Sequence, residues 1–197
     1  MKYCGRAFFL YLPVMLIIAG LISCGPGDFI PKPRAYFRIA FPEKEYQLFD
    51  STYPYRFEYP TYARVLPDID EQSEPYWVNV EFPDFGGTLY ISYKKVNNNV
   101  YQYFEDARSF VTKHIPKAED ISTRKISNDS SRVWGLVYDI QGSGVASSYQ
   151  FCLTDSSRHL VRGALYFNSV PNNDSLAPVL DFIEEDIDHL ISTLKWN

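Results

Sequence analysis

Tyr76-Trp77-Val78-Asn79-Val80-Glu81-Phe82 carries the clearest alternation in the chain. Tyr76, Val78, Val80 and Phe82 fall on one face, with Trp77, Asn79 and Glu81 on the other. Period two specifies a half-buried strand, because successive side chains of an extended backbone point to opposite faces. Pro83-Asp84-Phe85-Gly86-Gly87 then turns the chain, its glycines free to take positive φ. Thr88 to Val96 follows, with Leu89, Ile91 and Tyr93 on one side. Two strands joined by a glycine-containing loop predict an antiparallel hairpin.

Downstream, Asn97-Asn98-Asn99 offers helix N-caps. Val100, Phe104, Ala107, Val111 and His114 recur at helical spacing, giving one apolar stripe that Pro116 ends. Lys113 and Lys117 suit the negative end of that helix's dipole. His114 reads as an edge residue rather than a ligand. Four strands are expected next, Ile121–Ser127, Val133–Gln141, Ser147–Thr154 and Leu160–Asn168. Short polar breaks separate them, which implies an antiparallel meander. Trp134, Leu136, Tyr138 and Ile140 share a face of the second strand.

The chain closes with a stronger helix, striped by Leu176, Val179, Leu180, Ile183, Ile187, Leu190, Ile191 and Leu194. Asp174 or Ser175 can cap its start, and Pro178 suits a first turn. Asp181, Glu184, Glu185, Asp186 and Asp188 occupy much of the opposite surface, the pattern of a solvated face. Upstream of the hairpin, Arg56–Tyr59 forms a short strand closed by Pro60, and Asp68 to Glu74 reads as a surface loop. The order strands, helix, strands, helix predicts an α+β fold, a mostly antiparallel sheet flanked by two helices, as a single domain over 53–197.

The N-terminal 23 residues differ in kind. Lys2 and Arg6 precede an uncharged run from Ala7 to Gly20, followed by Leu21-Ile22-Ser23-Cys24. That is the layout of a bacterial lipoprotein signal peptide over 1–23, cut just before a cysteine whose thiol is acylated. The alternative is an uncleaved spanning helix. The run from Ala7 to Ser23 is shorter than the ~20 residues a bilayer core requires, and Pro13 interrupts it. Cys24 is therefore the expected lipidation site.

Two of the 19 basic residues and none of the 24 acidic ones lie in that leader, so the remainder carries 17 against 24, a formal charge of −7. Such a balance argues against nucleic acid, whose phosphates demand clustered Lys and Arg. With Cys4 in the leader and Cys24 acylated, Cys152 stands alone among Tyr149, Phe151 and Leu153. Those neighbours favour an inert buried thiol over a nucleophile.

Residues 24–52 form the anchor, a tether at Gly25-Pro26-Gly27 and an extended arm. The arm's most distinctive part is Pro31-Lys32-Pro33-Arg34-Ala35-Tyr36-Phe37-Arg38-Ile39-Ala40-Phe41-Pro42. Its prolines oppose helix and hold their neighbours extended. One reading lays the arm across its own domain with Tyr36, Phe37 and Phe41 buried. The other makes it a docking strand for a protein partner, with Lys32, Arg34, Tyr36 and Arg38 as its contacts.

Catalytic chemistry is thin. His114, His159 and His189 show no zinc-ligand spacing, and neither a nucleophile elbow nor a phosphate loop is present. Cys152, Asp155 and His159 lie close in sequence, but nothing activates the thiol. Consecutive acids of the last helix splay around the cylinder, so they do not make a metal site. No cofactor, metal or small-molecule substrate is expected. Trp77 and Trp196 are the aromatics best placed to be exposed at a binding surface.

The chain resembles the gliding motility-associated lipoprotein GldD family. The resemblance rests on Leu21 to Cys24, then on Pro31-Lys32-Pro33-Arg34-x-Tyr36-x-Arg38-Ile39, Phe41-Pro42 and Tyr46. It continues through Pro54-Tyr55-x-Phe57-x-Tyr59-Pro60, Trp77-x-Asn79-x-x-Phe82-Pro83, Leu89-x-Ile91-Ser92-Tyr93-Lys94 and Glu105-Asp106-Ala107-Arg108. Ala35 stands where the family would have glycine. The resemblance implies a component of the gliding machinery of certain Gram-negative bacteria, linked to type IX secretion, with other machinery proteins as partners. No enzymatic activity comes with it. At fold level the element order is also similar to Mog1/PsbP-like αβα sandwiches. Gly25-Pro26-Gly27-Asp28 lacks an acidic export cluster, so the expected address is the outer membrane, facing the periplasm. The competing function class is a lipid-anchored hydrolase or ligand-binding module, which would need a pocket with convergent polar groups.

Overall fold

The hairpin is present. In the computed structural model, which describes residues 38–197, strands β4 (Val78–Phe82) and β5 (Gly87–Lys95) pair antiparallel with Val80 opposite Leu89. A single 3₁₀ turn, Pro83–Phe85, joins them, and Gly86 closes it at φ 63°. Tyr76 departs from the expected face. It stands before the strand at φ 70°, with its carbonyl oxygen accepting a 2.6 Å hydrogen bond from the Tyr55 hydroxyl. That bond and the left-handed backbone take Tyr76 out of the alternation.

Eight further strands complete two sheets. They are β1 (Tyr46–Phe49), β2 (Tyr55–Pro60), β3 (Arg64–Pro67), β6 (Asp120–Asn128), β7 (Val133–Gln141), β8 (Tyr149–Thr154), β9 (His159–Phe167) and β10 (Lys195–Trp196). The larger sheet has seven strands in the order β3-β4-β5-β9-β8-β7-β6, and the smaller has three, β1-β2-β10. Every pairing is antiparallel. The meander β6 to β9 forms as its short turns require. What joins it to the hairpin is β9 lying beside β5, in register from Gly87 opposite Phe167 to Lys95 opposite His159.

Helix α1 (Val100–Thr112) carries the chain from β5 to the far edge of this sheet, and helix α2 (Asn173–Thr193) follows β9. The sheet is consequently apolar on both faces. One face, with Val80, Leu89, Val137, Phe151, Val161 and Leu165, shares the main core with Ile183, Ile187, Leu190 and Ile191 of α2. Tyr55 and Phe57 of β2 belong to the same core. The opposite face packs on α1. There Ala107 meets Cys152 and Leu160, while Val111 meets Tyr138 and Ile140. This is an α+β domain with helices on both faces of an antiparallel sheet.

The helix starts differ from the caps read in the sequence. Asn99 precedes α1 without a side-chain cap bond, and its Oδ1 accepts instead from the Asn97 N–H at 2.8 Å. Helix α2 begins at Asn173, whose Nδ2 donates to the carbonyls of Gly142 and Val145 at 2.9 and 3.1 Å. That ties the helix start to the loop between β7 and β8, so Asp174 and Ser175 already lie inside the helix. Pro178 sits within the helix rather than in its first turn.

Candidate interaction site at the root of the arm

Lys32, Arg34 and Tyr36, proposed as partner contacts, and Cys24, the expected lipidation site, lie outside the described residues. Arg38 is described and exposed. From Ile39 onward the arm engages its own domain. Ile39 packs on the main core, and the Phe41 ring stacks on Phe182 of α2 with centroids 4.4 Å apart.

Lys44 makes the strongest connection. Its ammonium lies 4.0 Å from the centroid of the Phe182 ring and donates to the Phe182 carbonyl at 2.7 Å and to Asp186 Oδ1 at 2.9 Å. Glu185 is 3.2 Å away. The Tyr46 hydroxyl reaches the same Oδ1 at 3.0 Å, and its ring stacks on His189 at 3.6 Å. Tyr62, just after β2, donates to Oδ2 of Asp186. Asp186 is 1 % exposed, so both carboxylate oxygens are held by protein donors inside the fold.

Phe182, Asp186 and His189 are spaced i, i+4 and i+7, and so form a second stripe on α2 beside its apolar one. Residues 41–46 run along that stripe. His189 Nε2 lies 2.7 Å from Glu58 Oε2, and the Glu58 N–H donates to Thr193 Oγ1 at 3.0 Å, fastening β2 to the same helix. Burial, and then the neighbouring Asp186 carboxylate, raises the Tyr46 hydroxyl to about 12 and pushes Tyr62 above its ordinary value. Both phenols therefore stay protonated donors at neutral pH.

The acidic surface of α2 is thus not uniformly solvated. Asp186 is the acceptor of the clamp, and Asp188 accepts from Tyr149 and Arg124. Glu184 lies in a groove with Asp139, Asp181 and Asp188, and burial followed by those three carboxylates raises it to about 8. Among the described residues no group of three or more His, Cys, Asp or Glu side chains is arranged to hold a metal ion.

Cys152, Asp155 and His159 do not form a triad. Cys152 faces α1 between Ala107 and Leu160, fully buried, and burial pushes its thiol up to about 12. His159 Nδ1 lies 2.9 Å from the Tyr93 hydroxyl. Asp155 Oδ1 accepts from the backbone N–H groups of Ser157, Arg158 and His159, closing the turn between β8 and β9. Burial alone would raise Asp155, but these bonds prevail and hold it at about 2. Trp77 and Trp196 are half-buried. Their indole N–H groups donate to the carbonyls of Tyr93 at 3.0 Å and Arg132 at 2.9 Å.

A family model described as gliding motility lipoprotein GldD matches residues 26–196. The chain belongs to the gliding motility lipoprotein GldD family. Membership places it among lipoproteins, attached to the cell envelope through lipid, and among components of gliding motility rather than a known enzyme family. No helix among the described residues is long and apolar enough to cross a membrane. No curated protein matches the chain. Among solved structures it is similar to the solution structure of cyanobacterial PsbP (CyanoP) from Synechocystis sp. PCC 6803. That match has 11 % identity and a TM-score of 0.49, covering 82 % of this chain and 98 % of that one. The fold assignment rests on the strand order and helix placement themselves.

Proposed function

We propose that the chain is a non-enzymatic, lipid-anchored docking component of the gliding machinery, linked to type IX secretion. In this reading Cys24 carries the lipid, the anchor sits in the outer membrane facing the periplasm, and residues 31–38 contact a partner. The observation that carries the proposal is the clamp. Lys44 and Tyr46 on buried Asp186, with Phe41 on Phe182, fix the root of the arm to α2, while Arg38 remains exposed.

A fixed root shortens the segment whose entropy must be lost on binding, and its prolines lower that loss further. Lys32, Arg34 and Arg38 then meet a partner's carboxylates, arginine doing so bidentately. A buried, unactivated Cys152 and a His159 held by Tyr93 support a role without catalysis.

The triple variant Lys32→Ala/Arg34→Ala/Arg38→Ala tests this reading. It is expected to keep its Tm and its membrane fraction while losing gliding and co-purification of envelope proteins. Retained motility with retained partners, or a large fall in Tm, would remove the docking role.

A further inference from the structure

Between α1 and the sheet lies a cleft of about 360 Å³ that no part of the docking reading uses. Its floor is Ser92 and Lys94 of β5 and Arg162 of β9, and its wall is Tyr103 and Phe110 of α1, with Trp77 at one end. The volume is at the lower end of the ~300–1,000 Å³ usual for small-molecule sites.

Arg162 is the anomaly. Other half-buried cations of the domain have carboxylates: Lys44 has Asp186, and Lys94 has Glu74. Arg162 makes no ion pair among the described residues. Its guanidinium lies 4.2 Å from the centroid of the Phe110 ring and donates once, to Gln150 Oε1 at 3.1 Å. Gln150 is itself 2 % exposed, and its Nε2 has no partner. Guanidinium has five N–H donors, and sheltering it from water without a counter-ion is costly. On a chain with 24 acidic residues, a carboxylate could have stood there.

The rest of the lining says what completes the site. One cation lacks a counter-ion, and Asp106 already contributes a negative side chain to the wall, which suits a single negative charge and disfavours a dianion. Trp77, Tyr103, Phe110 and Leu160 supply apolar surface. Trp77 is pre-set, because its indole N–H is bonded to the Tyr93 carbonyl and Lys94 sits 5.4 Å over its ring. The Tyr103 hydroxyl has no hydrogen-bond partner among the described residues and can supply a second donor. We propose that this cleft binds a small organic monocarboxylate, its carboxylate on Arg162 and its apolar body against Trp77, Tyr103 and Phe110.

Calorimetric titration of the full chain in nanodiscs, with empty discs as blank, tests the site. The probes are octanoate, N-acetylphenylalanine, octanamide and inorganic phosphate. Saturable binding of octanoate or N-acetylphenylalanine is expected, the tighter of the two telling an aliphatic acid from an amino-acid-derived one. Octanamide and phosphate should bind at least ~10-fold more weakly, since each lacks either the charge or the apolar body. Arg162→Gln should weaken the better carboxylate at least ~10-fold. Should that variant fold poorly, Ser109→Trp fills the cleft from an exposed helix position and should abolish binding at unchanged Tm. Saturation by neither carboxylate, equal binding of octanamide, or full binding in a folded Arg162→Gln or Ser109→Trp overturns the proposal.

Discussion

Replacing Asp186 by alanine should release the root of the arm while leaving the seven-stranded sheet standing. The substitution removes the acceptor of three donors at once, Lys44, Tyr46 and Tyr62. Breaking a fully buried pair typically costs about 3–5 kcal/mol. Here the Lys44 side chain is 25 % exposed and Glu185 is 3.2 Å away, so its ammonium can be re-paired or hydrated. Tyr62 loses its acceptor with less recourse to water. The expected loss is therefore about 2–4 kcal/mol, built from hydrogen bonds to a charged group at ~1.5–3 kcal/mol each less what water restores.

At about 2–4 °C per kcal/mol for a domain of this size, Tm should fall by roughly 5–15 °C. Asp186→Asn keeps one carbonyl oxygen and should cost about half as much. A double-mutant cycle of Lys44→Met with Asp186→Asn should show coupling of about 1–2 kcal/mol. Amide hydrogen exchange supplies the local assay. Residues 46–49 should lose protection first, because β1 is an edge strand, while β5 and β9 remain protected. If Asp186→Ala costs less than about 0.5 kcal/mol and exchange over 46–49 is unchanged, the clamp does not hold the arm.

Three further outcomes follow from particular side chains. Glu184 is raised to about 8 in the folded state, so the native protein binds the extra proton between its ordinary carboxylate range and that value. Stability should fall as pH rises from about 4.5 to about 8, and Glu184→Gln should flatten the slope of urea midpoint against pH. A Cβ at Gly163 would stand 2.2 Å from the buried Phe151 ring, whereas nothing lies within 4 Å of one at Gly86. Gly163→Ala should cost about 1–3 kcal/mol of overpacking, more than the left-handed strain of about 1 kcal/mol from Gly86→Ala; denaturant midpoints check the order. With its thiol raised to about 12 and no exposed surface, Cys152 should resist alkylation in the folded protein at pH 8, and Cys152→Ala should retain gliding. Rapid labelling, or lost motility at normal protein level, would reopen catalysis there.

The hairpin, β2 and the meander β6 to β9 were legible because turn or proline chemistry bounds them, whereas the short strands β1, β3 and β10 carry too few residues to show an alternation. Val133–Gln141 was readable to the residue, and both helices were recognisable, though not at their starts, because each carries one apolar stripe that packs on its own face of the sheet. The pairing of β5 with β9 was not, because its residues are some seventy positions apart and alternation fits many neighbours. The clamp was hidden for a different reason. Asp186 reads as one more acid on a polar helix face, and only the aromatic at 182 and the histidine at 189 mark a second contact line there. Lys44 was equally silent, being a lone cation in an arm whose burial depends on tertiary packing. Arg162 gave no signal either. In a strand reading it is the polar member of an alternation, and its lack of a counter-ion exists only once β8, β9 and α1 meet.

Docking through the arm is tested most directly by site-specific photocrosslinking in living cells. A photoreactive residue at Tyr36 is compared with one at Tyr101, which is 76 % exposed on α1. The account expects one dominant crosslink from position 36 to an envelope protein, lost in the Lys32→Ala/Arg34→Ala/Arg38→Ala background, and none of that product from position 101. Crosslinks from position 36 that stay within the chain itself, or the same partner captured from position 101 alone, would contradict it.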